Sequence, residues 1–229
     1  METATNQAAE KRRVCEASFF GRVQYAEGLV MQERAVEQLK DGAGNEQLFL
    51  LEHNHVFTLG RAANRANILL SHDDLAAQGI EVHEIGRGGD VTYHGLGQLV
   101  GYPIINLKPD RQDVHVYVRD LEEVLIRTIA EYGITGTRIK GLTGVWVGDE
   151  KIAAIGVRIA RWITSHGFAL NVNTDLKYFR LIVPCGISDK GVTSMAKILD
   201  REIDLEEVAH LATKHFAEVF SRDIKFASR

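Results

Sequence analysis

The chain has 229 residues, 45% hydrophobic and 25% charged, with 27 Lys and Arg against 31 Asp and Glu for a formal net charge of −4. That length can bury a sizeable core, and the negative balance argues against a nucleic-acid partner, which would meet a basic face. No apolar run approaches a membrane span, and two cysteines, Cys15 and Cys185, are too few for a disulfide framework, so a cytoplasmic protein is expected.

In chain order, residues 1–12 are polar, lack the apolar centre of a secretory leader, and read as a disordered lead-in. Val14 to Val23 is rich in β-branched and aromatic residues and predicts a strand, with Cys15 as a small core hydrophobe. Tyr25 to Leu39 spaces Leu29, Val30, Ala35 and Leu39 as a helix does. Gln47 to Leu51 is a short apolar run, hence a buried strand. His53 and His55 would share one face of that strand if it continued; with no third ligand evident they read as pocket-rim histidines, and no metal is expected. Ser71 to Gln78 predicts a short helix capped by Ser71, and Glu81 to Ile85 a strand.

Gly86 to Pro103 then packs six glycines among Arg87, Thr92, Tyr93, His94, Gln98 and Tyr102. Glycine costs backbone entropy, so such density implies positive φ or a close approach of backbone to a ligand. Neither G-x-G-x-x-G nor G-x-x-x-x-G-K-[ST] occurs, so the stretch reads as the wall of a substrate pocket and not as a standard nucleotide cradle.

Gln98 to Leu107 predicts a buried strand. Asp113 to Tyr132 predicts the longest helix, with Val114, Val118, Leu121, Val124, Leu125 and Ile129 on one stripe and Gly133 as its stop. Gly144 to Val147 and Lys151 to Ile159 flank Gly148-Asp149-Glu150 as a hairpin. If that second strand is regular, Lys151 shares the apolar face of Ala153, Ile155, Val157 and Ile159, where it either snorkels or is desolvated. Ser165 to Val172 is another strand, residues 173–203 are irregular, and Asp204 caps a final amphipathic helix to Phe220. With no repeat or linker, one α+β domain spanning 13–222 is expected, followed by a tail at 223–229.

Two residues stand out chemically. Cys185 lies between Pro184 and Gly186, a turn setting unlike that of a core thiol. A thiol that is to act as a nucleophile needs a nearby positive charge or base, which a lysine can supply. Lys151 becomes its partner only if the fold joins residues 34 positions apart.

Four segments resemble one family. Arg87-Gly88-Gly89-x-x-Thr92-Tyr93-His94-Gly95-x-Gly97-Gln98-x-x-x-Tyr102-Pro103 resembles the signature of the lipoyl(octanoyl) transferases, the octanoyl-[acyl-carrier-protein]:protein N-octanoyltransferases. Thr58-Leu59-Gly60-Arg61, Lys151-Ile152-Ala153-Ala154-Ile155-Gly156-Val157-Arg158 and Pro184-Cys185-Gly186-Ile187 resemble that family's other elements. His53-Asn54-His55 stands where its members often carry prolines. The similarity runs from about Arg22 to Phe220.

The resemblance implies a biotin/lipoate protein ligase-like catalytic domain, α+β, with a mixed, largely antiparallel sheet flanked by helices. It implies that Cys185 takes the octanoyl group from octanoyl-acyl carrier protein as a thioester and passes it to a lysine of an apo lipoyl domain. Those domains belong to 2-oxoacid dehydrogenase acyltransferase subunits and the glycine cleavage H protein. Lys151 would lower the Cys185 pKa and move protons. Arg87, Gly88, Gly89, Asp90, Val91, Thr92, Tyr93 and His94 would line the acyl tunnel with Ala154, Ile155, Gly156, Gly167, Phe168 and Ala169. No cofactor, ATP or metal is implied, nor any membrane or nucleic acid, and a monomer suffices. The alternatives are an ATP-dependent lipoate ligase or an octanoyl amidotransferase of the same fold, and a non-catalytic acyl-binding module.

Overall fold

The computed structural model describes residues 12–183 and 190–226. A large mixed sheet runs in the order β12 (Arg222–Phe226), β1 (Arg13–Val23), β2 (Glu46–His53), β6 (Gln98–Ile104), β10 (Ile163–Asn171), β9 (Glu150–Ala160), β8 (Leu142–Val147) and β7 (Thr137–Ile139). β11 (Gly191–Val192) adds parallel to β9. β1 pairs parallel with both neighbours, while every pairing from β2 across to β7 is antiparallel. The fold is thus the expected α+β type, a mostly antiparallel sheet with helices.

Both faces of the sheet are covered, which explains the unbroken apolar run of β2. Strand side chains alternate, so Leu48 and Leu50 meet one core and Phe49 and Leu51 the other. The first core is closed by α3 (Val114–Ala130) and α5 (Leu205–Phe220), through Leu121, Val124, Leu125, Val208, Phe216 and Phe220. The second is closed by α1 (Tyr25–Lys40), whose Ala35 packs with Val100, Tyr102 and Ala169. Asp113 and Asp204 cap α3 and α5, each carboxylate accepting from two backbone N–H groups; unpaired N–H groups at a helix start need such acceptors. Cys15 is fully buried in the first core, as expected of a small hydrophobe, and burial pushes its thiol far up.

A second, three-stranded sheet orders β4 (Glu81–Glu84), β3 (Val56–Leu59) and β5 (Val91–His94), with α2 (His72–Ala77) between β3 and β4 in sequence. The glycine-rich stretch joins the two sheets: β5 belongs to the small one and β6 to the large one. Gly97 makes that turn with φ +74, and a Cβ there would lie 2.8 Å from the Asn173 carbonyl oxygen.

Three expectations change. His53 and His55 do not share a strand face, because the chain turns between β2 and β3 at Asn54. His53 is fully buried, donating from Nδ1 to the Val23 carbonyl and accepting at Nε2 from the Tyr102 hydroxyl, so it is no rim residue. The span 173–203, read as irregular, carries a 3-10 turn at Leu176–Leu181, β11 and the short helix α4 (Met195–Leu199). Residues 223–226, read as tail, complete the edge strand β12, held by Arg222. Residues 1–11 of the 1–12 lead-in and residues 227–229 lie outside the described residues.

Candidate functional site

A bulge decides where Lys151 points. Val145 pairs with Ala153 but Trp146 pairs with Lys151, so one step on β8 spans two on β9 and Ile152 is the extra residue. One inserted residue reverses the face of everything beyond it. Ile152 and Ala153 both enter the α3/α5 core, and Lys151 leaves the face of Ala153, Ile155, Val157 and Ile159 that a regular strand would give it. Its ammonium lies instead 4.8 Å from the Trp146 ring centre, a cation–π distance.

On the face opposite the α3/α5 core, the middle of β9 and β10 presents almost no side chain. Ala154 pairs with Ala169 and Gly156 with Gly167, which makes a floor of four small residues. Over it runs the glycine-rich loop. Gly88 N donates to the Val157 carbonyl at 3.0 Å, and Arg61 N and Ala62 N donate to the Arg87 and Gly89 carbonyls. Arg87 is itself buried, its Nη2 donating to the Thr58 carbonyl and hydroxyl at 2.8 and 2.9 Å. Its stem lies on Gly156, where a Cβ would approach Arg87 Cδ to 2.9 Å. The Thr58-Leu59-Gly60-Arg61 element is therefore the shelf that carries the loop.

Between floor and loop lies a cavity of about 630 Å³. It brings together Arg87, Gly88, Gly89, Asp90, Val91, Thr92, His94, Lys151, Ala154, Ile155, Gly156, Gly167, Phe168 and Ala169. Tyr93, expected among them, is not on its wall. Alternation along β5 sends Tyr93 into the small-sheet core, where its ring packs against Phe57, Tyr178 and Phe179 and its hydroxyl bonds His55 Nδ1 at 2.7 Å. Cys185, the expected nucleophile, lies outside the described residues. The chain on either side of it is placed. Val183 N donates to the Asn67 carbonyl, and on the other side Val192 pairs with Lys151.

Tyr102 of the glycine-rich stretch lines the cavity too, while sequence reasoning missed Tyr25, Trp146 and His166, which also line it. Tyr25 opens α1 and reads as a helix start; His166 takes a positive φ of 56 inside β10, which no spacing shows. Burial pushes His94 down to about 3, with His53 the next cause. Burial, followed by Arg87 and Arg158, pushes His166 down to about 4. Both rings are thus neutral, and burial also raises the Tyr25 hydroxyl. Besides the charged Arg87, Asp90, Lys151 and Lys190, the wall offers neutral polar atoms and small residues around an apolar floor, a shape for a slender, largely apolar group. Among the described residues no group of three or more His, Cys, Asp or Glu could hold a metal, and no helix is long and apolar enough to cross a membrane.

The model of the lipoyl protein ligase A/B catalytic domain matches residues 24–217. An octanoyltransferase of Solibacter usitatus is 53% identical over 208 residues, covering 91% of this chain and 94% of that protein. One from Acidobacterium capsulatum is 50% identical over 219 residues, covering 89% of each. Among solved structures, a lipoate-protein ligase A bound with ATP superposes with a TM-score of 0.76 at 16% identity, covering 93% of this chain and 89% of that one. A putative lipoate protein ligase from T. acidophilum with bound lipoic acid gives 0.73 at 16% identity, with the same coverage. At that identity the likeness is one of fold.

Proposed function

The chain belongs to the lipoyl protein ligase A/B catalytic-domain family, and from that membership we propose how it carries out octanoyl transfer in protein lipoylation. It is an acyltransferase, like the octanoyltransferases it matches at about half of all positions. The donor is octanoyl-acyl carrier protein. The Cys185 thiolate attacks the thioester carbonyl, the carbon–sulfur bond to the carrier breaks, and the carrier leaves as a thiol. The neutral amine of a lipoyl-domain lysine then attacks the Cys185 thioester; the amide forms and the amine's proton passes to the departing thiolate. Thioester to amide runs downhill, so the cycle uses no ATP and no cofactor.

Lys151 stabilises the thiolate by its charge and carries the proton between steps. The acyl chain lies on Ala154, Gly156, Gly167 and Ala169 beneath the Arg87–Thr92 loop. Each buried methylene contributes about 0.8 kcal/mol, so a closed floor of this kind can discriminate chain length. The acceptors are lipoyl domains, those of 2-oxoacid dehydrogenase acyltransferase subunits and the glycine cleavage H protein, and the setting is the cytoplasm. What carries this reading is the cavity itself: a floor of alanine and glycine with one lysine turned onto it by a bulge.

Intact-protein mass spectrometry after incubation with octanoyl-acyl carrier protein, without ATP, tests it. The expected result is one added octanoyl group, removed by hydroxylamine and absent in Cys185→Ser. No adduct, but product with ATP and free octanoate, would move the chain to the ligase reaction.

A further inference from the structure

Beyond Lys151 and the cavity wall, a chain of buried amides crosses the same face of the sheet. Gln98 on β6 and Asn171 on β10 pair in register and are both nearly inaccessible. Gln98 Nε2 donates to Asn171 Oδ1 at 2.9 Å and to the Tyr93 carbonyl at 3.2 Å, and Asn171 Nδ2 donates to the Thr193 carbonyl at 3.0 Å. Thr193 N then donates to the Lys151 carbonyl at 3.0 Å. Main-chain carbonyls only accept, so Tyr93 and Thr193 fix the direction of the whole chain from both ends. Gln98 Oε1 is left to accept from His94 Nδ1 at 2.8 Å.

The position of this chain matters. The β9–β10 ladder runs from Ala160 and Ile163 to Ala153 and Leu170 and stops there, next to Ile152, the extra residue opposite β8. Asn171 is the next residue on β10, and beyond the end of the ladder its side chain ties β10 to the bulged part of β9, reaching the Lys151 carbonyl by way of Thr193. We propose that Asn171, oriented by Gln98, is a positioning residue for Lys151: it holds the bulged strand so that the lysine faces the cavity. Its catalytic consequence rests on the role given to Lys151 above.

The test uses the full chain in four forms: wild type, Asn171→Ala, Lys151→Ala and the double variant. In the first two, Lys151 is labelled by reductive methylation and quantified by peptide mapping, with melting temperature confirming the fold. Asn171→Ala is expected to change the Lys151 labelling rate several-fold and to leave Lys40 and Lys108 unchanged. It is also expected to lower kcat for octanoyl transfer roughly tenfold or more with little change in KM, since small misplacements of a reacting group are costly. In the Lys151→Ala background the same change should alter kcat by less than about twofold.

Unchanged Lys151 labelling, or losses that multiply in both backgrounds, would overturn the inference and leave Asn171 as a core amide. Altered labelling with a near-normal kcat in Lys151→Ala would uphold the placement and overturn the role given to Lys151 instead. Should Asn171→Ala fail to fold, Asn171→Asp removes the donor to Thr193 at nearly constant volume, and the same readouts decide.

Discussion

At Gly156 two demands meet on one residue. The floor has to stay low for a ligand, and the Arg87 stem needs the space directly above, where a Cβ would come to 2.9 Å from Cδ. Gly156→Ala is therefore expected to push Arg87 off its Thr58 partners and to raise the floor by one methyl group. The prediction is a preference shifted toward shorter chains, read as the ratio of kcat/KM for hexanoyl and octanoyl carrier protein; an unchanged ratio would remove Gly156 from the acyl site. Cys15 is a second residue-level case. It is fully buried with its thiol pushed up, so in the native protein it should resist alkylation, and Cys15→Ala should keep transfer activity. A thiol count with a disulfide reagent, native against denatured, checks this: one fast thiol in the fold and two after unfolding. The glycine-rich wall and the small-residue strands were legible in the sequence because composition at a site is local. Tyr93 was not placed correctly, since a motif names residues without saying which face of the strand each one takes.

Elements show where periodicity fails. A bulge leaves no mark in a pattern of apolar residues, so Lys151 could be followed to its strand but not to its face. His53 and His55 were misplaced for the same reason: the chain turns at Asn54 with no glycine or proline to announce it. The edge strand β12 was missed because three of its five residues, RDIKF, are charged and it reads as tail. Burial of Arg222 explains why that charge is there. Its Nε lies 2.5 Å from Glu46, both side chains are almost wholly inaccessible, and Nη1 donates to the Phe220 carbonyl at 2.6 Å. Removing Arg222 leaves the buried Glu46 carboxylate with Arg13, 2.8 Å away and partly exposed, as its cation, so the cost is up to about 3–5 kcal/mol, the figure for breaking a buried pair. Arg222→Ala should therefore lower the denaturation midpoint strongly and free β12 from β1, giving fast amide exchange at 223–226. A loss below about 1 kcal/mol would show that Arg13 is enough to pair Glu46 without Arg222.

For the whole molecule, the two sheets meet around neutral histidines, and this sets a pH dependence. Burial pushes His53 and His166 down to about 4 and His94 to about 3, from an ordinary 6.5. Unfolded, these rings take up protons as the pH falls through about 6.5; folded, they do so only near 4 or below. Between those limits the unfolded state binds more protons, so stability rises with pH and falls as acid is added. Each ring held neutral throughout contributes a slope of up to about 1.4 kcal/mol per pH unit. The carboxylates with lowered values, such as Asp110 and Glu123, act in the same direction but begin only near pH 4.5, below most of the window. Urea midpoints should accordingly decline from about pH 6.5 toward pH 4.5 and stay nearly level from pH 7 to 8. His166→Gln tests the assignment, because its ring makes no hydrogen bond among the described residues and its backbone N–H keeps its bond to Gln32 Oε1. The variant should show a shallower decline across that window, and a slope equal to that of the wild type would mean that His166 is protonated in the fold.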